Sequence, residues 1–111
     1  MQGDYVASRA FIIKSLVIHQ GEGNKWGISG CFSYQAYLMI AQGQAERGAR
    51  MLGAVEAMYE NMGAQIFADE QDEYDHNIAT ASTLLGKEAF AEAWAEGRAM
   101  SWEQAIAYAL E

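Results

Sequence analysis

Apolar residues recur at helical spacing along most of this chain. Over residues 25–42 the stripe is Ile28, Phe32, Gln35/Ala36 and Leu38/Met39; over 44–62 it resumes at Met51/Leu52, Val55, Met58/Tyr59 and Met62. Spacing of i, i+3/i+4, i+7 marks one face of an α-helix. Between the two stripes stands Gly43, which can take the left-handed backbone that ends a helix without a steric penalty. Two amphipathic helices joined by a few residues fold back antiparallel and bury their stripes on each other. The pattern therefore predicts an αα-hairpin at the centre of the chain.

Further helices flank it. Residues 4–20 read as a first helix, opened by Gly3-Asp4 and ended by Gly21-Glu22-Gly23-Asn24. Phe11, Ile12, Ile13, Leu16, Val17 and Ile18 cover more than one of its faces, so it expects partners on two sides, whereas only the hairpin follows it. After Gly63 a loop runs to Ala68, and a fourth helix over 70–85 turns Tyr74, Ile78, Ala81 and Leu85 inward. Gly86 ends it, a fifth helix over 87–96 carries Phe90 and Trp94, and a sixth opens on the capping box Ser101/Gln104. Trp102, Ala105/Ile106 and Ala109 form the short apolar face of that last helix. The expected fold is all-α, an antiparallel array of about six helices in one domain, with 1–63 as repeat-like helices and 64–111 as a C-terminal cap.

Composition agrees with that reading. The 111 residues hold 51% hydrophobic and 20% charged side chains and no proline, which fits a globular helical domain. The charge of −8 is unevenly spread: residues 1–55 carry five basic against three acidic side chains, residues 56–111 two against twelve. An acidic half repels phosphate and the other half has no dense basic stripe, so the segment is expected to bind no nucleic acid. The lone Cys31 allows no intrachain disulfide, and beside Phe32 it reads as a small buried hydrophobe. The run Phe11–Ile18 is too short to span a bilayer, so a soluble, cytoplasmic protein without a membrane partner is expected.

A brief repeat, Gly3-Asp4-Tyr5 and Gly43-Gln44-Ala45 each followed by an apolar helix, has a period of about 40 residues, in the range of helical arrays. Phe32, Ala36, Met39, Gly43, Gly48 and Leu52, with Val55 in a place where alanine is usual, resemble the tetratricopeptide (TPR) pattern. The linker Gly23-Asn24-Lys25-Trp26-Gly27-Ile28 is similar to the connector between such repeats in bacterial signal-transducing NTPases and LuxR-type or MalT-like transcriptional regulators. The runs Ala49–Ala57, Phe90–Arg98 and Ser101–Ala105 resemble the C-terminal ends of those proteins. The resemblance departs from the pattern in lacking the proline common at the end of a TPR. It implies a right-handed array of one and a half TPR-like units, a C-terminal part or remnant of such a regulator, and it supplies no catalytic residues.

Several constellations have residue types that could carry chemistry. Asp72 and His76 share a face at i, i+4 and could present two ligands to a divalent metal; the acidic run from Asp69 also complements a helix N-terminus, with Asp69 as a cap, and that plainer reading prevails. His19 near the end of the first helix reads as a cation on its C-terminal dipole. Glu56 and Glu60 read as solvated. Trp26, Trp94 and Trp102 read as packing residues. No P-loop, nucleophile elbow or zincin motif is present, and neither catalysis nor a cofactor is expected. What remains is binding. The first helix would present Phe11, Ile12, Leu16 and Val17 to a protein partner, a second copy or upstream repeats of a larger chain, with Arg47 and Arg50 giving polar selectivity. The alternative is an effector-sensing surface built on Trp26, Tyr34 and Tyr37.

Overall fold

The computed structural model describes residues 2–63 and 68–110. Six helices follow one another: α1 (Gln2–Glu22), α2 (Lys25–Ala41), α3 (Ala45–Asn61), α4 (Ala68–Leu85), α5 (Lys87–Arg98) and α6 (Trp102–Leu110). There is no strand among the described residues. The fold is thus an all-α helical array, as the periodicity predicts, with helix ends shifted by one or two residues. Asp4 falls inside the first turn of α1 rather than ahead of it, and the expected loop after Gly63 lies outside the described residues, as does the side chain of the expected cap Asp69.

The turns explain why the chain folds back where it does. Gly23 and Gly43 both take positive φ, +66° and +85°. At the second turn the Gly43 N–H donates to the Ile40 carbonyl at 3.0 Å and the Gln44 N–H to the Met39 carbonyl at 2.8 Å. At the first, Gly23 and Asn24 donate in the same way to Gln20 at 3.2 Å and His19 at 2.9 Å. This is the Schellman pairing, which satisfies carbonyls the ending helix would orphan. Asn24 then starts α2, its Oδ1 accepting from the Gly27 N–H at 3.1 Å. The capping box of α6 is formed in both directions, Ser101 N–H to Gln104 Oε1 at 2.9 Å and Gln104 N–H to Ser101 Oγ at 3.1 Å.

The core lies around α3. Phe32, Ala36 and Met39 of α2 meet Leu52 and Val55 of α3, all buried; these are the positions that resemble the repeat pattern. Ile12 and Leu16 of α1 and Tyr74 and Ala81 of α4 join the same cluster, as do Ala105 and Ala109 of α6. On its other side α3 crosses α5 at backbone distance. A Cβ at Gly53 would overlap the Trp94 carbonyl, and a Cβ at Gly97 the Arg50 carbonyl. Arg98 fastens the far end, donating to Glu56 at 2.6 Å and Glu60 at 2.5 Å. These two carboxylates, expected to be free in solvent, are instead an inter-helix clamp, partly exposed and so of modest strength.

Helix α6 returns along the hairpin. Its first residue, Trp102, lies near the end of α3, its indole N–H donating to Asn61 at 3.4 Å, while the Lys25 ammonium at the start of α2 sits 5.4 Å from its ring centroid. Its end is held by buried Gln35, whose amide donates to the Ala109 carbonyl at 2.7 Å. So α6 runs alongside α2 and antiparallel to α3.

Candidate functional site: an aromatic groove on α2

Among the described residues, one side of helix α2 stays open between α1 and α4. Tyr34 and Tyr37 are placed there by their i, i+3 spacing, their rings packed edge to face at 6.3 Å between centroids. Toward the N-terminal end of α2, Trp26 packs edge to face on Tyr59 of α3 at 5.9 Å. Between these two pairs lies a pocket of about 300 Å³, with Gly27 and Gly30 in its floor and Glu70 and Glu73 of α4 on its rim. Tyr59 is buried and Tyr37 half-buried, whereas Tyr34 and Trp26 are largely open, Trp26 at 48% exposure. Toward α1 the same surface widens into a shallow apolar groove of about 800 Å³, bounded by Phe11, Ile12, Leu38 and Ala41 and sharing Tyr34, Tyr37 and Glu73 with the pocket.

The electrostatics of this surface are one-sided. Burial, and then the Glu73 and Glu70 carboxylates, push the Tyr37 phenol up to about 12. Tyr59 is raised in the same sense, by burial first and by Glu70 second. Among the described residues no lysine or arginine lines the pocket. It is an aromatic cavity in a negative field.

The residues expected at an interface separate into two groups. Phe11 (72% exposed) and Val17 (54%) stand on the outside of α1, together with Val6 and Ile18. Ile12 and Leu16 do not: Ile12 is 9% exposed and Leu16 is fully enclosed. Their row of the helix turns onto α2, which accounts for the excess of apolar residues, since α1 has an inner face packed at home and an outer one left open. Arg47 and Arg50 also differ from expectation. The Arg47 guanidinium lies over the Tyr108 ring at 4.8 Å and donates to the Tyr108 carbonyl at 3.3 Å. Arg50 donates to the Tyr108 hydroxyl at 3.3 Å, pairs with Glu46 and lies 3.6 Å from Glu96. Arg47 thus ties α6 to α3, and Arg50 ties both α6 and α5 to it.

Other candidates settle into structural places. The His19 ring packs beneath the start of α2, where a Cβ on Gly27 would lie 2.5 Å from it, and its Nδ1 is 3.3 Å from Asn24 and 3.5 Å from Glu22. Cys31 is buried and its thiol is pushed up by burial, which keeps it from the reactive thiolate form. Trp94 and Trp102 are half-buried at helix contacts, but Trp26 belongs to the pocket rather than to the core. Asp72 and His76 lie exposed on α4, and among the described residues no group of three or more His, Cys, Asp or Glu side chains is placed to hold a metal ion. No described helix is long and apolar enough to cross a membrane.

Comparison with known proteins adds a relation to transcription. The chain is 36% identical over 67 residues to candidate HTH-type transcriptional regulators of Mycobacterium bovis and of two strains of Mycobacterium tuberculosis. The match takes in 60% of this chain and spans only about 8% of the length of each regulator. No family model matches the chain, and no solved structure matches it. These relatives correct one expectation. The charge distribution alone argues against nucleic-acid binding by this segment; the relatives are named as HTH-type regulators, a class that binds DNA, and that overturns the exclusion. Local acidity describes one segment's surface, whereas these regulators extend far beyond the matched segment.

Proposed function

We propose that this chain is a non-catalytic, TPR-like helical interaction module of a cytoplasmic transcriptional regulator, working by helix packing. The observation that carries the reading is the outer face of α1. Phe11 and Ile18 at i, i+7 make one exposed apolar row, and Val6 and Val17 make another. Apolar rows of this kind at the end of a helical array are covered by the next unit or by a partner. In a regulator of the relatives' length the natural occupant is an adjoining helical unit, and in isolation a second copy takes its place. The signal-transducing NTPase architecture implied by the resemblance belongs to this proposal as the larger setting.

Sedimentation of the chain over a range of concentrations tests it. Self-association is expected, and Phe11→Glu with Val17→Glu should abolish it while leaving the helical content and thermal midpoint nearly unchanged, because both side chains are outside the core. Ile12→Glu would be the wrong probe, since it buries a charge and unfolds the domain. A wild-type chain that stays monomeric at every concentration, or a double variant that still associates, would count against the α1 face.

Effector sensing is favoured as a second reading by one observation: Trp26, Tyr34 and Tyr37, spread over α2 in sequence, converge with Tyr59 on a single pocket.

A further inference from the structure

We propose that the pocket between Trp26, Tyr34, Tyr37 and Tyr59, rimmed by Glu70 and Glu73, binds an organic ammonium group. The inference rests on the effector-sensing reading and names its ligand class. Three features of the site converge on it. Aromatic rings offer their negative faces to cations, most strongly when the cation is partly desolvated. Four aromatic side chains, Trp26, Tyr34, Tyr37 and Tyr59, line this one pocket, so a cation held in it lies against several rings at once. The volume of about 300 Å³ is at the small end of ligand pockets and suits a trimethylammonium or alkylammonium head rather than a nucleotide.

The charge of the surroundings selects among small ligands. Among the described residues, Glu70 and Glu73 are the only charged side chains lining the pocket; both stand near the Tyr37 phenol, and Glu70 near Tyr59 as well. A carboxylate or phosphate ligand would meet two like charges with no basic group to offset them. A neutral apolar ligand would gain the ring contacts and nothing from the rim. An ammonium gains both. The adjoining apolar groove past Tyr34 and Tyr37 toward Phe11 then gives room for an alkyl chain or for the rest of a peptide attached to that head.

The same head group occurs on free metabolites and on methylated lysine side chains, and separate arms of one experiment distinguish them. Calorimetric titration of the whole chain with choline, and with its neutral isostere 3,3-dimethylbutan-1-ol, tests the charge. Choline is expected to bind about tenfold more tightly than the isostere. Tyr34→Ala should weaken both ligands, whereas Glu73→Gln should weaken choline and leave the isostere unchanged. Both residues are exposed, and circular dichroism checks that the variants fold. A short peptide carrying trimethyl-lysine replaces choline in the second arm: tighter binding of the peptide assigns the source to a protein partner, tighter binding of choline to a metabolite, and either supports the site. Equal affinity for choline and the isostere overturns the ammonium assignment while effector sensing stands. Absence of binding by every ammonium probe also overturns it. Thermal stabilisation by neutral or anionic metabolites, lost in Tyr34→Ala, would then show that effector sensing survives without it, and absence of that too would end both.

Discussion

Tyr37 shows how one residue carries both packing and charge. Its phenol is held neutral by burial and by two nearby carboxylates, which place its folded pKa at about 12 against an ordinary value of 10.0. A proton held more tightly in the folded than in the unfolded chain makes stability fall with rising pH between those values. Stability should therefore be level below pH 10 and decline from there to about pH 12, and Tyr37→Phe should flatten part of that decline in urea melts followed across the alkaline range. Single residues also mark what could be read beforehand. Cys31, Phe32 and Leu52 were legible as core because each sits on a helical stripe beside other apolar residues. Ile12 and Leu16 were not separable from Phe11 and Val17, because on a helix apolar on several sides the sequence does not say which row faces inward.

Among the elements, the contact between α3 and α5 is the one with least tolerance. Gly53 and Gly97 let the two backbones meet, and at each a methyl group would run into a carbonyl of the other helix. Gly97→Ala is expected to destabilise the domain by about 2 kcal/mol or more, as overpacking at a rigid contact does. Gly30→Ala, inside α2 with nothing within 4 Å of its added Cβ, should instead gain roughly 0.5–1 kcal/mol, the helix preference of alanine over glycine. Chemical denaturation of the two variants checks both signs. Helix boundaries were legible because Gly43 and Gly86, together with the Ser101/Gln104 box, announce them locally. Which helix crosses which was not. Gly53 lies inside a periodic run and Gly97 just past the expected end of the fifth helix, and neither reads as a contact until the partner backbone is seen. The seating of α6, with Tyr108 against Arg47 and Arg50, likewise depends on contacts some sixty residues apart.

At the scale of the molecule, charge and apolar surface act against each other. Every copy carries −8, so two copies meeting through α1 approach under repulsion that salt screens. Raising ionic strength from low to physiological is expected to strengthen self-association, seen as a lower dissociation constant in sedimentation, whereas capture of a cation by the aromatic pocket should weaken over the same change. Opposite salt responses would separate the two surfaces without any mutation. The aromatic pocket itself was half legible. Trp26, Tyr34 and Tyr37 belong to one stretch of chain and could be named together, but Tyr59, Glu70 and Glu73 come from α3 and α4, and their arrival beside them is a product of the fold.

The bare backbone contact at Gly53 and Gly97 has a consequence for how such a domain can diversify. Where two helices touch without side chains between them, there is no spacer to enlarge or trim, so the tilt of one layer on the next cannot be tuned by ordinary substitution. Variation that alters recognition is left to the outward rows of α1 and the open side of α2, while the frame behind them stays at a fixed angle.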